Sequence, residues 1–263
     1  MDLELKGKNV LVAAGSRGIG RAVAEAFLQE GATVTICARE AAILERARTE
    51  MGKWGAVRTV SADVTRAADI ETAVRQAAVN GRLDALFVNA GGPPAGKFED
   101  FDDSAWQRAF ELNLLSSVRL VRAALPFMKA TGGGAIVQLM SFVVKEPGLW
   151  VGNLILSNAI RAGAVGLAKT LARELAPFAI RVNTVLPGRI DTERSRGLDA
   201  GRAQREGRSR EELHAEQARQ VPLGRYGRPE EVAAMIVFLA SPRASYITGA
   251  TVQVDGGLVA SLL

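Results

Sequence analysis

Residues 10–20 read Val10-Leu11-Val12-Ala13-Ala14-Gly15-Ser16-Arg17-Gly18-Ile19-Gly20, an apolar run that ends in a glycine-rich turn. The run is short and β-branched enough for a buried strand. Ile19, Val23, Ala26 and Phe27 then recur at the spacing of one helix face. Strand, glycine turn and helix in that order form a phosphate cradle. The helix N-terminus presents N–H groups without intrahelical partners and a partial positive charge. Glycines let the backbone approach a pyrophosphate with no side chain in the way. A G-x-x-x-G-x-G pattern asks for glycine at position 14, yet Ala14 stands there and Gly15 follows one place late. Taken alone, the turn is also compatible with an ordinary strand-to-helix connection.

Outward from this stretch, strands and helices alternate. The apolar runs at 32–38, 56–61, 83–89, 135–140, 180–185 and 251–254 read as strands. Helical spacing covers 41–51, 69–79, 106–129, 157–176 and 229–240, with Pro126 expected to bend the last turn of its helix and Pro177 to stop the next. Repeated β-α-β units imply parallel strands, right-handed crossovers and helices on both faces. No linker, repeat or low-complexity tract interrupts the series, so residues 1–263 read as one doubly wound α/β domain. A ligand should then lie beyond the carboxyl ends of the strands, where the strand order reverses. The loops after Ala14, Ala38, Asn89, Met140 and Val185 all end there.

Composition narrows the function. A chain of 263 residues with 48% hydrophobic and 23% charged residues is ordinary globular protein. Cys37 is the only cysteine and His214 the only histidine. An internal disulfide is therefore excluded, and a metal site is not expected. The N-terminus has no apolar core of a secretory signal, and no apolar run approaches the length that crosses a bilayer. These features fit a cytoplasmic protein with no membrane partner. The formal charge of +5 comes from 33 basic and 28 acidic residues, mostly interleaved, without a nucleic-acid-binding pattern. The exception is 189–210, where Arg189, Arg194, Arg196, Arg202, Arg205, Arg208 and Arg210 mix with Asp191, Glu193, Asp199 and Glu206. It reads as a solvated, partly helical flap.

Further segments fall in a suggestive order. Asp63-Val64, Asn89-Ala90-Gly91, Asn113, Ser141, Arg181-Val182-Asn183, Pro187-Gly188 with Thr192, Val221-Pro222-Leu223-Gly224-Arg225, Pro229-Glu230-Glu231-Val232 and Val254-Asp255-Gly256-Gly257 follow the glycine turn. With them the chain resembles the short-chain dehydrogenase/reductase family nearly end to end. The resemblance implies a Rossmann domain with a mostly parallel sheet of about seven strands. It also implies a nicotinamide cofactor held by Ala14, Gly15, Ser16, Arg17, Gly18, Ile19, Gly20, Asp63, Val64, Asn89, Ala90, Gly91, Pro187, Gly188, Ile190 and Thr192. Asn113 and Ser141 would be active-site residues, and a homotetramer is the implied assembly, its helices 106–129 and 157–176 pairing across a two-fold axis. Small residues Ala159, Ala162, Gly163 and Ala164 would permit close approach, or could equally face the sheet.

The catalytic helix departs from the family pattern of Tyr-x-x-x-Lys. Aligned from Gly166-Leu167 backwards, Ser157 takes the tyrosine position and Arg161 the lysine position in a segment reading SNAIR; the usual spacing from Ser141 lands instead on Leu154 and Asn158. The same departure, with the altered glycine turn, resembles a divergent 3-oxoacyl-acyl-carrier-protein-reductase-like branch. In the family the tyrosine protonates the alkoxide left by hydride transfer, its pKa lowered by the lysine, while the serine positions the carbonyl oxygen. Ser157 can relay a proton but hardly supply one. Arg161 can hold ribose hydroxyls and stabilise negative charge, yet stays protonated. Lys145, Glu146, His214, Tyr226 and Tyr246 are the substitute acids, each with a bland surface or structural reading beside it. Asn113 either anchors a catalytic water or caps a helix irregularity.

The expected cofactor is NADP(H). An acid just after the second strand would grip ribose hydroxyls and select NAD, but Ala38 and Arg39 stand there. Arg39 and Arg17 suit a 2′-phosphate by charge and bidentate geometry; the alternative is solvation or pairing with Glu40. Residues 189–222 are expected to form a lid over the substrate, a small carbonyl or acyl compound. The function expected is carbonyl reduction with an atypical proton donor, against a catalytically impaired NADP(H)-binding or regulatory protein.

Overall fold

Alternate side chains of β1 (Asn9–Ala13) enter two different cores. Val10 and Val12 pack beneath α1 (Gly18–Gln29) with Val34, Ile36 and Phe87. Leu11 and Ala13 pack on the other side with Ile70, Val74, Leu86 and Leu120. A strand covered on both faces is apolar throughout, which is why the opening run shows no alternation.

The computed structural model describes residues 1–147 and 154–261. Its strands are β1, β2 (Thr33–Ala38), β3 (Val57–Ser61), β4 (Ala85–Val88), β5 (Gly134–Leu139), β6 (Ile180–Pro187) and β7 (Thr251–Val254). They form one seven-stranded sheet in the order β3-β2-β1-β4-β5-β6-β7, parallel throughout. Side chains of α1, α2 (Ala41–Met51) and α9 (Pro229–Ala240) share the core on one face. Those of α3 (Ala67–Ala77), α5 (Ser116–Thr131) and α6 (Ile155–Glu174) share the core on the other. The doubly wound fold expected from the sequence is the observed one. Strand order reverses between β1 and β4, so the loops leaving them diverge and open a crevice at their carboxyl ends.

Three local expectations change. The helix expected over 106–129 begins earlier, as α4 (Asp103–Phe110), because the Asp102 side chain caps it by accepting from the Ala105 N–H at 2.8 Å. It then passes through a π-helical turn at Glu111–Leu115 and continues past Pro126 to Thr131. The helix expected over 69–79 ends at Ala77, since Asn80 and Gly81 turn the chain at positive φ. The flap is more ordered and less solvated than its composition suggests. It contains α7 (Glu193–Glu206) and α8 (Arg210–Gln220), started by Thr192 and Ser209 caps, and it buries Arg189, Asp199, Leu213 and Gln217.

Among the small residues of α6, Ala164 is buried against Met140 and Leu186, whereas Ala159, Ala162 and Gly163 lie exposed on the single chain. Among the described residues no helix is long and apolar enough to cross a membrane, and no cluster of side chains could hold a metal ion.

Candidate active site

The glycine turn explains its own irregularity. Ala14 has φ +51°, a left-handed conformation that glycine adopts freely and alanine adopts at a cost of about 1–2 kcal/mol. Gly15 answers a different demand: a Cβ there would fall 2.8 Å from Ile36 Cβ on the neighbouring strand. Gly18 has φ +52°. At Gly20 a Cβ would lie 2.2 Å from the Ala14 carbonyl oxygen, so the first turn of α1 sits directly on the end of β1. Arg17 is the N-cap of α1 and makes no side-chain capping bond. The first N–H groups of the helix are thereby left for an anion.

A cavity of about 820 Å³ runs across the carboxyl ends of the strands. The side nearest β2 and β3 is walled by Arg39, Asp63 and Val64. The middle is walled by Ala14, Ser16, Arg17, Gly18, Ile19 and Gly20 of the turn, and by Asn89, Ala90 and Gly91 after β4. Toward β5 and β6 stand Ser141, Ser157 and Arg161, then Pro187, Gly188, Ile190 and Thr192. Gly15 and Asn113 lie behind this wall. Gly15 is turned to Ile36, and Asn113 donates from Nδ2 to the Gly91 carbonyl at 2.8 Å. Asn113 sits on the π-helical turn, 2% exposed, and its Oδ1 has no hydrogen-bond partner. A buried acceptor in that state calls for a donor such as a water.

The residues at the β5 end are held by the sheet. Gln138 Nε2 donates to the Ala164 carbonyl at 3.0 Å and to Thr184 Oγ1 at 2.8 Å, which ties α6 to β5 and β6. Ser141 ends the strand and caps a short 3-10 turn, its Oγ accepting from the Val143 N–H at 3.5 Å. Ser157 is 7% and Arg161 8% exposed. Arg161 Nη1 donates to the Leu139 and Met140 carbonyls, both at 3.4 Å, beside Ser141. No carboxylate pairs with it among the described residues. Burial, and secondarily the Arg194 guanidinium, pull its pKa down to about 10; it remains charged at neutral pH.

At the opposite end Asp63 Oδ1 accepts from the Thr65 N–H and hydroxyl, and the Asp63 N–H donates to Asp69. Arg39 is exposed there and has no acidic partner among the described residues. Arg17 lies 3.6 Å from Glu40 and 3.6 Å from Glu193, so it touches both the β2 loop and the lid helix.

The substitute acids fare unevenly. Glu146 accepts the N–H groups of Ala260 and Ser261, and Lys145 donates to Gln253, so neither pairs with the other and neither lines the cavity. Tyr246 is fully exposed. Tyr226, expected as structural, is buried and lines the cavity, its hydroxyl within hydrogen-bond distance of Asp199 Oδ2 (3.1 Å) and Gln217 Oε1 (2.8 Å). Burial and the Asp199 carboxylate push that phenol well above its ordinary pKa. The His214 ring packs on Tyr226 at 4.2 Å, tilted by 40°, and lies 3.7 Å from Asp199. Sequence reasoning passed over Arg194 and Asp199 as cavity residues. Arg194 stands two places after the capping Thr192, a position in the first turn of α7, and its Nη2 reaches the Pro93 carbonyl at 2.9 Å.

Known proteins are similar to this chain in sequence and fold. The family model described as enoyl-(acyl carrier protein) reductase matches residues 13–259. The 3-oxoacyl-acyl-carrier-protein reductase FabG of Vibrio harveyi is 35% identical over 264 residues, covering 97% of this chain and 99% of that protein. The L-sorbose reductase of Gluconobacter frateurii, solved with NADPH and L-sorbose, is 33% identical with a TM-score of 0.92 and covers 100% of both chains. An actinorhodin polyketide ketoreductase solved with NADPH is 31% identical with a TM-score of 0.90, covering 96% of this chain and 97% of that one.

Proposed function

Because the chain belongs to the short-chain dehydrogenase/reductase family, we propose that this oxidoreductase uses NADP(H) to reduce a carbonyl compound of the 3-oxoacyl type, with a proton donor other than the family's tyrosine. The single observation that carries the reading is Arg161, buried without a carboxylate beside Ser141 and Ser157 on one cavity wall. A buried, unpaired cation is costly and suits a site where negative charge develops.

The residues present fit the cofactor. Gly20 and Gly18 bring backbone close at the start of α1, where a pyrophosphate would accept N–H bonds. Ala38 leaves room where an acid would select NAD, and the unpaired Arg39 with Arg17 would take the 2′-phosphate. Asp63 and Val64 would hold the adenine, and Pro187, Gly188, Ile190 and Thr192 would cover the nicotinamide. Reduced nicotinamide supplies a hydride when bound. Ser141 then orients the substrate oxygen, and Arg161 stabilises the charge that gathers on it as the C=O π bond breaks. The proton reaches that oxygen through Ser157 or a water on Asn113 Oδ1, because Arg161 cannot release one at neutral pH. Without a positioned acid the rate falls by about 10²–10⁴. Residues 189–222 form the lid, joined to the turn through Arg17 and Glu193.

A second reading, an NADP(H)-binding protein with impaired chemistry, draws support from Tyr226. The one phenol on the cavity wall is committed to Asp199 and Gln217. NADPH oxidation against ketones, quinones and 3-oxoacyl thioesters separates the two. Turnover that drops in Ser141→Ala supports the reductase; NADPH binding with no responding substrate supports the second reading. In the same titrations Arg39→Asp should weaken NADPH by about tenfold and leave NADH nearly unchanged. Equal or tighter NADH binding by the unmodified protein would sink the assignment of cofactor.

We also propose a homotetramer. Exposed Ala159, Ala162 and Gly163 leave one face of α6 able to approach a second copy closely. Light scattering at micromolar concentration should give four times the 27.9 kDa chain mass; a monomer there contradicts the proposal.

A further inference from the structure

Arg161 is not the only guanidinium at the β5 and β6 end of the cavity. Arg194 lies flat against Gly92, so close that a Cβ on residue 92 would fall 2.2 Å from its Nη2 and 2.5 Å from its Cζ. The absent side chain at Gly92 is what lets Arg194 reach across the crevice to the Pro93 carbonyl. Arg194 lines the cavity and stays exposed on the single chain, while burial of its charged end lowers its pKa. It also stands second, after burial, among the causes that lower the pKa of Arg161.

Neither cation has a carboxylate partner among the described residues. The carboxylates on the cavity wall are engaged elsewhere: Glu40 and Glu193 lie near Arg17, Asp63 is held by Thr65, and Asp199 faces Tyr226 and His214. Among the described residues, only Nη1 of Arg161 and Nη2 of Arg194 have protein acceptors, so donors of both guanidiniums remain for a ligand. Two cations on the wall of one cavity, one of them buried, favour an anion beside them. The cofactor phosphates would find other positive partners, the N-terminus of α1 and the pair Arg17 and Arg39, on the β1 and β2 side of the crevice.

We propose that Arg194 holds a carboxylate of the substrate, while Arg161 keeps its place at the carbonyl oxygen, so that the compound reduced at Ser141 is an oxo acid in place of a carrier-bound 3-oxoacyl thioester. The proposal rests on reading the cavity as a site of NADP(H)-dependent carbonyl reduction. It adds Arg194 as a specificity-determining residue, placed by Gly92 and carried in by the lid.

The test uses stable product-side probes on the full chain saturated with NADP+. Calorimetry compares 3-hydroxyhexanoate with 3-hydroxyhexanamide and with the N-acetylcysteamine thioester of the same acid. The acid should bind at least about tenfold more tightly than either uncharged probe, the worth of a charge-assisted fork. Arg194→Gln should erase that preference while NADPH affinity changes by less than about twofold, and Arg194→Lys should restore part of the preference through its charge. Thermal melting verifies that each variant is folded. An amide or thioester that binds as well as the acid overturns the proposal. So does an Arg194→Gln variant that keeps the preference but loses NADPH, which would give Arg194 to the cofactor phosphates. Should the unmodified chain fail to bind NADPH, its assignment as an NADP(H)-dependent reductase fails by itself; the acid and amide are then titrated against the chain alone, where an acid preference retains the anion site and equality ends it.

Discussion

Ser157→Tyr combined with Arg161→Lys is expected to raise NADPH-dependent reduction of a small neutral ketone by about 10²–10⁴-fold. The scaffold for the gain is in place. Ser157 and Arg161 are one helical turn apart on the buried face of α6, and both line the cavity beside Ser141. A phenol ionises near pH 10 in water and lower beside an ammonium, whereas an alkyl hydroxyl is far too weak an acid to protonate an alkoxide by itself. The lysine matters because its flexible ammonium can approach both the phenol and ribose hydroxyls, where the planar guanidinium keeps Nη1 on the Leu139 and Met140 carbonyls. Each single variant should gain less than the pair, and the excess in a double-mutant cycle measures their coupling. Initial rates of NADPH oxidation read the effect. A double variant that binds NADPH and gains no activity would show that proton supply is not what limits this site.

Gly20→Ala should abolish measurable NADPH binding and destabilise the fold by about 1–3 kcal/mol, the cost of forcing an extra methyl into filled space. The added Cβ would stand 2.2 Å from the Ala14 oxygen and 3.0 Å from its carbonyl carbon, with Asn89 Nδ2 at 3.1 Å. Two of those three atoms are backbone, so relief requires α1 to lift from β1 and the cradle to open. Gly166→Ala is the matched control. Its Cβ meets nothing within 4 Å on the exposed side of α6 in the single chain, and replacing that glycine should leave NADPH binding unchanged. Thermal melts and a fluorescence titration with NADPH read both variants. Unimpaired NADPH binding by Gly20→Ala would dissociate the glycine turn from the cofactor.

The order of strands and helices was legible because each carries its own periodicity. Apolar runs in β1, β2 and β4 reflect burial on both faces, and α1 reads at helical spacing because one side packs on the sheet. Parallel pairing and the place of the crevice then follow from the handedness of β-α-β crossovers. The glycine turn was visible because a helix start that must meet backbone closely requires glycine, whereas Asp63, Asn89, Asn113 and Ser141 were singled out by their resemblance to the family's segments. The chain alone therefore determined the doubly wound sheet and the segments that meet at its carboxyl edge. It did not determine the π-helical turn at Asn113, the insertion of Arg194 over Gly92, or the burial of Asp199 and Tyr226 beneath a flap whose composition reads as solvated. Those features depend on which groups the crossovers bring together from loops far apart in sequence. A charge is solvated or desolvated by its neighbours in space, and periodicity reports only whether a face is covered, never by what.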